Sequence, residues 1–259
     1  QILIYKALNF KLPFFAHTPL ILNSEGKKLS KRDSVTSIDD FKKIGYLPEA
    51  LNNYMSLLGW SLKSSENEIL SVSDIAYKFD LIDVNKAGAK FSWEKLNWIN
   101  SQHIKKMEII DLNKLFNEYW KKKAWEVPSY EWGLKLTKLL QDSINVLNDV
   151  LEQSEPFFTK LSISKEGKDY LEKDEVRESL KLILEQIKNS GSKNIESNSA
   201  KNILKEISTK HNIKKGTLMK SLRVALFGSL SGPDLIQSWE LFSETNSDIE
   251  RINKCLSVF

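Results

Sequence analysis

Two lysines three residues apart, Lys28 and Lys31, flank Ser30 in the stretch Leu20-Ile21-Leu22-Asn23-Ser24-Glu25-Gly26-Lys27-Lys28-Leu29-Ser30-Lys31-Arg32-Asp33. The group follows an apolar run and a glycine, so it reads as a turn directly after a strand. Phosphoryl chemistry asks little covalent work of a protein and much positive charge where negative charge builds up, and two ammonium groups on a short loop suit a departing pyrophosphate. By spacing alone, Lys-x-Ser-Lys in a chain rich in both residues favours a solvated basic turn.

The elements that must position this loop are legible upstream and downstream. Ile2 to Leu8 reads as the end of a helix already under way, and the start at Gln1 is expected to lie inside a longer protein. Phe14 to Leu22, bounded by Pro13, reads as a buried strand that delivers the chain to the loop. A short helix is expected from about Ile38 to Ile44, with Thr36 or Ser37 as N-cap, Asp39 and Asp40 in the first turn and Gly45 as the stop. Pro48 opens a second helix whose stripe is Leu51, Tyr54, Met55 and Leu58. Ser71-x-x-Asp74 is a capping-box signature that puts Val72, Ile75, Ala76 and Phe79 on one face. From about Ser92, the spacing of Trp93, Leu96 and Ile99 predicts a fourth helix, with Trp93 and Trp98 read as core.

From Asp111 onward the pattern is helical throughout, without a convincing alternating strand. One stripe is Leu112, Leu115, Phe116 and Tyr119; a longer one runs from Leu136 through Leu139, Leu140, Ile144 and Leu147 to Leu151. A Phe157-Phe158 knot and a polar stretch through Gly167 precede Val176, Leu180, Ile183, Leu184 and Ile187. Asn189 to Asn198 is the linker candidate. Four short helices follow, through Ala200 to Ile207, Leu218 to Leu226, Leu235 to Trp239 after Gly232-Pro233, and Ile249 to Leu256, and these make a small bundle.

The flanks of the lysine motif carry a resemblance. Lys27 to Asp33 followed by Val35-Thr36-Ser37-Ile38, then Gly45 to Leu51, Tyr54 to Trp60, Phe79 to Asp83, Lys90-Phe91, Lys95 to Asn100 and Gly216 to Gly228 together resemble bacterial glutamyl-tRNA synthetase, a class I aminoacyl-tRNA synthetase. The resemblance spans nearly the whole chain and is loosest from about Leu112 to Asn198. It implies that Lys28, Leu29, Ser30, Lys31 and Arg32 are the Lys-Met-Ser-Lys-Ser type loop that closes over ATP, with Lys28 and Lys31 catalytic and Lys31 touching the phosphates. Leu29 for Met and Arg32 for the last Ser depart from the consensus.

The implied fold is mainly α: residues 1–35 as the tail of a catalytic domain, 36–108 as a stem-contact fold, and 109–190 and 191–259 as two helical anticodon-binding subdomains. Helices there separate the glutamyl enzymes from glutaminyl cousins, which use β-barrels. The implied partners are tRNA for glutamate, ATP with Mg2+, and glutamate, and the implied assembly is a monomer. No His-x-Gly-His motif of that family occurs around His17, His103 or His211, so this stretch is not expected to catalyse alone. His17 is assigned no role.

Composition narrows the alternatives. A net charge of +4, with nearly all cations lysine, favours phosphate contact over guanidinium readout of bases. Lys215, Lys220 and Arg223 are the candidate tRNA contacts, and Arg223 can equally brace the turn around Gly228. Lys121-Lys122-Lys123 beside Trp120 and Trp125 reads as a solvated helix end. A single cysteine, Cys255, excludes an intramolecular disulfide or thiolate metal cluster, so zinc is not expected and the reducing cytoplasm is the default compartment. No apolar run is long enough for a membrane span. The rival from another class is a stand-alone helical RNA-binding protein without ligase activity; an upstream reading frame with a nucleotide-binding half separates the two.

Overall fold

The computed structural model describes residues 1–23, 25–28, 37–60, 67–191 and 194–257, and these divide into two compact units, Gln1–His103 and Ile104–Phe259. The first unit holds α1 (Ile2–Ala7), β1 (Ile21–Leu22), α2 (Ile38–Ile44), α3 (Pro48–Leu57), α4 (Val72–Lys78), a 3-10 turn at Leu81–Asp83, β2 (Ala89–Lys90) and the start of α5 (Trp93–Lys106). β1 and β2 pair in parallel, Ile21 opposite Ala89 and Leu22 opposite Lys90.

The caps fall where the residue types place them. Ser37 and Asp40 form a reciprocal capping box at the start of α2, which ends at Gly45 in the left-handed region. Ser71 and Asp74 do the same for α4. Polar side chains with no exposure then join elements distant in sequence. Asn53 receives the Leu70 N–H at 3.0 Å and donates to the Glu68 carbonyl at 2.9 Å, while Asn100 receives the Leu47 N–H at 2.8 Å. The Ser92 N–H donates to Tyr54 Oη at 2.7 Å, and Phe41, Tyr46, Tyr54, Phe91 and Trp93 form one aromatic cluster.

Four expectations for this unit are corrected. The strand shrinks from Phe14–Leu22 to two residues, and Phe14 and Phe15 stand exposed, because a strand needs a partner and β2 offers only two residues of ladder. Met55 is exposed although Leu51, Tyr54 and Leu58 are buried. The face of α4 buries nothing: Val72 and Phe79 are exposed, and the Phe79 ring meets the Trp60 ring edge-on. Trp93 and Trp98 are 41% and 45% exposed, not core. Trp98 lies about 200° round the helix from fully buried Leu96, at 100° per residue, which puts it on the opposite face.

The second unit is helical from end to end among the described residues: α6 (Ile109–Lys122), α7 (Tyr130–Gln141), α8 (Asp149–Phe158), α9 (Lys165–Leu171), α10 (Asp174–Asn189), α11 (Ser197–His211), α12 (Lys215–Phe227), α13 (Leu235–Glu244) and α14 (Ser247–Leu256). One apolar core joins α9 to α14, from Leu161 to Cys255, with Leu218, Leu222, Ala225, Trp239 and Ile252 fully enclosed. Burying one such leucine or isoleucine contributes about 2 kcal/mol. Aromatic side chains tie α6 to α8 into the unit: Trp120 Nε1 donates to Ser154 at 2.9 Å, and Trp132 Nε1 reaches the Leu241 carbonyl at 3.0 Å.

One sequence expectation is corrected here. The long stripe from Leu136 to Leu151 is two helices, because Asp149 turns its carboxylate on the Asn145 and Val146 amides at 2.8 and 3.0 Å and starts a new helix. The polar stretch through Gly167 runs into α9, capped by Ser164. The Asn189–Asn198 connection is pinned where Ile195, buried, donates its N–H to Ser243 at 2.9 Å.

Candidate phosphate loop and nucleic-acid interface

Asn23 builds the turn that presents Lys28. Its Oδ1 accepts the Glu25 and Lys27 amides at 3.1 and 3.0 Å, its own N–H donates to the Lys27 carbonyl at 2.7 Å, and Gly26 adopts φ +79°, which favours glycine. The turn folds Lys28 back into an antiparallel bridge with Leu22. Leu22 therefore pairs on both sides, since it also lies opposite Lys90 and its carbonyl accepts the Phe91 N–H at 2.8 Å. Lys27 is engaged with Glu25 at 2.9 Å, an exposed pair, whereas the exposed Lys28 begins the lysine motif proper. Leu29, Ser30, Lys31, Arg32 and Asp33 lie outside the described residues.

The second set of candidate residues sits on α12. Lys215 is its first residue and is exposed, as is Lys220; Leu218, Leu222, Val224 and Ala225 bury the other side. Lys220 and Arg223 fall within about 60° of each other round the helix, while Lys215 lies about 12 Å from Arg223 along the axis. The helix therefore brings Lys220 and Arg223 together and leaves Lys215 apart.

Arg223 is half-buried, and its Nη1 donates to the carbonyls of Gly232 and Pro233 at 2.9 and 2.8 Å. It braces the corner that follows α12, and its remaining donors carry no hydrogen bond among the described residues. Gly228 makes that corner possible at φ +72°: a Cβ there would lie 1.9 Å from the Ser162 carbonyl oxygen. The same corner forms one wall of a groove of about 530 Å³ whose other wall is the face of α8 bearing Asp149, Glu152 and Gln153, with Ser229 and Ser231 between. Sequence reading saw the breaker Gly232-Pro233 but missed this groove, because Glu152 and Ser229 are far apart in the chain and no spacing relates them.

Beneath the groove, Arg251 is a buried guanidinium that donates to the carbonyls of Leu226, Pro156 and Thr159 and lies over the Phe242 ring at 4.6 Å. Burial lowers its pKa to about 10, so it stays charged at neutral pH. Nearby, burial raises the Asp248 carboxyl above its ordinary value although Trp239 Nε1 donates to it at 3.0 Å, and burial pushes the Cys255 thiol up to about 11. Cys255 is a core residue.

Two family models match. The class I tRNA synthetase (E and Q) catalytic domain matches residues 1–98, and the anticodon binding domain matches residues 111–256. The chain belongs to the anticodon binding domain family of tRNA synthetases. It is 64% identical to the glutamate–tRNA ligase of Prochlorococcus marinus subsp. pastoris and 47% identical to that of strain NATL2A, in each case over 99% of this chain and 54% of the relative. Its fold is similar to the crystal structure of a glutamate tRNA ligase from Elizabethkingia meningosepticum in complex with its amino acid, with TM-score 0.87 and 30% identity over 99% of this chain and 54% of that one. The glutamate-tRNA synthetase from Elizabethkingia anophelis gives TM-score 0.83 at 29% identity, over 99% of this chain and 53% of that one. The chain thus spans about half the length of the glutamate–tRNA ligases it matches. The second unit is helical among the described residues, as the resemblance to the glutamyl enzymes implied.

Proposed function

We propose that the chain supplies the phosphate-binding lysine loop and the tRNA-binding surfaces of a glutamate–tRNA ligase. In the activation step a glutamate carboxylate oxygen bonds to the α-phosphorus of ATP and the bond to the β-phosphate breaks, releasing pyrophosphate. In the second step a hydroxyl of the tRNA acceptor end takes the glutamyl group and AMP departs. Lys31, helped by Lys28, stabilises charge on the β and γ phosphates, and Ser30 with the loop amides adds hydrogen bonds. Mg2+ enters with the nucleotide. The observation that carries this reading is the Asn23-built turn, which sets Lys28 at the mouth of the motif on a ladder tied to Lys90 and Phe91.

Residues 36–108 are assigned to the tRNA stem, and 109–190 with 191–259 to the anticodon arm, in a monomeric cytoplasmic enzyme. Lys215 and Lys220 contact phosphate. Arg223 both braces the Gly228–Pro233 corner and offers its unspent donors to an unpaired base. In the complete enzyme Lys31→Ala lowers the activation rate by about two to three orders of magnitude, the scale of losing one positioned donor, read by pyrophosphate exchange. Unchanged ATP-dependent charging rules that role out. Filter binding of tRNA for glutamate against an anticodon-altered variant tests the second half, and equal affinities at every salt concentration would mean that only backbone charge is read.

A further inference from the structure

The positive charge of this chain is not spread evenly. Between Ser197 and Arg223 six lysines and Arg223 face a single acid, Glu206, a net +6 in a chain whose total is +4, so the remainder is slightly acidic. Only Lys215, Lys220 and Arg223 of that set are assigned above, and all three belong to α12. The other half of the charge sits on α11 and the turn after it.

The packing of α11 against α10 leaves a groove of about 500 Å³, lined by Gln186, Asn202, Lys205, Glu206, Thr209 and Lys210. Every lining side chain is polar. Glu206 and Lys210 stand four residues apart, a spacing that favours an ion pair, yet Lys205, Glu206 and Lys210 form no salt bridge among the described residues. Thr209 Oγ1 donates to the Lys205 carbonyl at 3.0 Å, which leaves its oxygen free to accept. The apolar positions of α11, Ala200, Ile203, Leu204 and Ile207, all enter the core, so the groove residues carry no packing duty there.

We propose that this α10–α11 groove is a second RNA-backbone site, separate from the α12 set and resting on the reading that the chain binds tRNA. Lys205 and Lys210 lie about 7.5 Å apart along the helix and hold neighbouring phosphates. Asn202 and Gln186 supply amide donors beside them. Glu206 distinguishes the ligand class: an acidic peptide meets a like charge in the groove, whereas a ribose 2′-hydroxyl is a donor that a carboxylate accepts.

The test is the exposed pair Lys205→Gln with Lys210→Gln in the full chain, titrated with tRNA for glutamate by filter binding from about 50 to 200 mM salt. The expected result is an affinity lowered about tenfold at the low-salt end and a log–log salt slope flattened by about 1.5, two phosphate contacts' worth. A Lys215→Gln with Lys220→Gln variant weakens binding independently. Loss in that variant with unchanged affinity and slope in the groove variant overturns the groove and spares the tRNA reading. No binding by the unsubstituted protein overturns both. Displacement of tRNA by polyglutamate from the unsubstituted protein, but not from the groove variant, reassigns the groove to an acidic peptide and overturns the proposal as well.

Discussion

Lys28 and Arg223 each stand at a turn, but they are held in different ways. The Lys28 turn rests on one asparagine side chain and a two-residue ladder, and its residues from Glu25 to Lys28 are exposed. The Arg223 corner is clamped between a helix whose far side is fully buried, a glycine pressed against a neighbouring backbone, and a buried arginine beneath. A loop that closes over a nucleotide must deform cheaply, and a surface that reads an RNA loop gains by being preformed. The roles proposed above set those opposite demands on the two regions.

The sharpest way to break the contrast is Gly228→Ala. The substitution asks for a Cβ inside the Ser162 carbonyl at a positive φ, and the Ser164 N–H that donates to the Gly228 carbonyl at 2.9 Å would lose its place. Neither side of that contact is a flexible side chain. The expected loss is upward of about 4 kcal/mol in urea unfolding of the chain. A loss below about 1 kcal/mol would show that the corner adapts, and the rigidity assigned to it would be wrong.

Arg251→Met comes next. Methionine fills much of the volume but leaves three carbonyls, on Leu226, Pro156 and Thr159, without their donor. About 3 kcal/mol of stability should go, since the unmade bonds are buried. Binding to tRNA should weaken together with it, because Pro156 and Phe227 line the groove beside Arg223. Intact tRNA affinity in a folded Arg251→Met protein would separate the clamp from the interface.

These residues also mark the limit of what the sequence discloses. The helices α10 to α14 were legible because each spends one periodic apolar face on a shared core, so spacing alone identifies both the element and its buried side. The N-cap candidates Thr36 and Ser37 and the capping-box signature at Ser71 located α2 and α4 equally well. Their local hydrogen bonds say nothing about packing, however, and the face of α4 that periodicity marked as apolar is exposed. Arg251, Asn53 and Asn100 were invisible for a different reason: their partners lie on elements 25 to 95 residues away for Arg251 and 15 to 53 away for the asparagines, and no local pattern encodes such a pairing. At the lysine motif, residue types suggested the chemistry proposed above, while the turn that presents Lys28 depends on Asn23, whose side-chain role was not read.

A smaller effect probes how the α12 bundle is held to α7. Lys135 donates to Glu240 at 2.8 Å and to Glu244 at 2.6 Å. Burial works to raise the Glu240 carboxyl, but the bonds from Lys135 and Ser197 outweigh it and hold its pKa below the ordinary value. The Lys135 ammonium is correspondingly raised. A depressed acid contributes stability above its unfolded pKa and loses it as pH falls through the folded one; a raised lysine contributes below its unfolded pKa and loses it as pH rises through the folded one. Lys135→Met should therefore cost about 0.5–1 kcal/mol between roughly pH 5 and 10, discounted because the lysine is half-exposed, and the difference should close in acid. A cost that persists at pH 2 would point to lost packing of the lysine stem rather than charge.

The smallest global effect belongs to the loosest site. Asn23→Ala removes the acceptor for the Glu25 and Lys27 amides but leaves the Lys27 carbonyl with its Asn23 N–H, since that bond is main chain. Because the turn is exposed, water takes over both amides, and urea unfolding should shift by no more than about 0.5 kcal/mol. The local effect should be much larger: hydrogen exchange at the Lys27 amide should speed up while the amide of Phe91, bonded to the Leu22 carbonyl, stays protected. If both amides speed up together, the turn and the β1–β2 ladder open as one piece, and the support of Lys28 extends to the segment carrying Lys90 and Phe91. If only Lys27 responds, the turn deforms on its own above a fixed strand, which is the arrangement that a loop built to close and reopen requires.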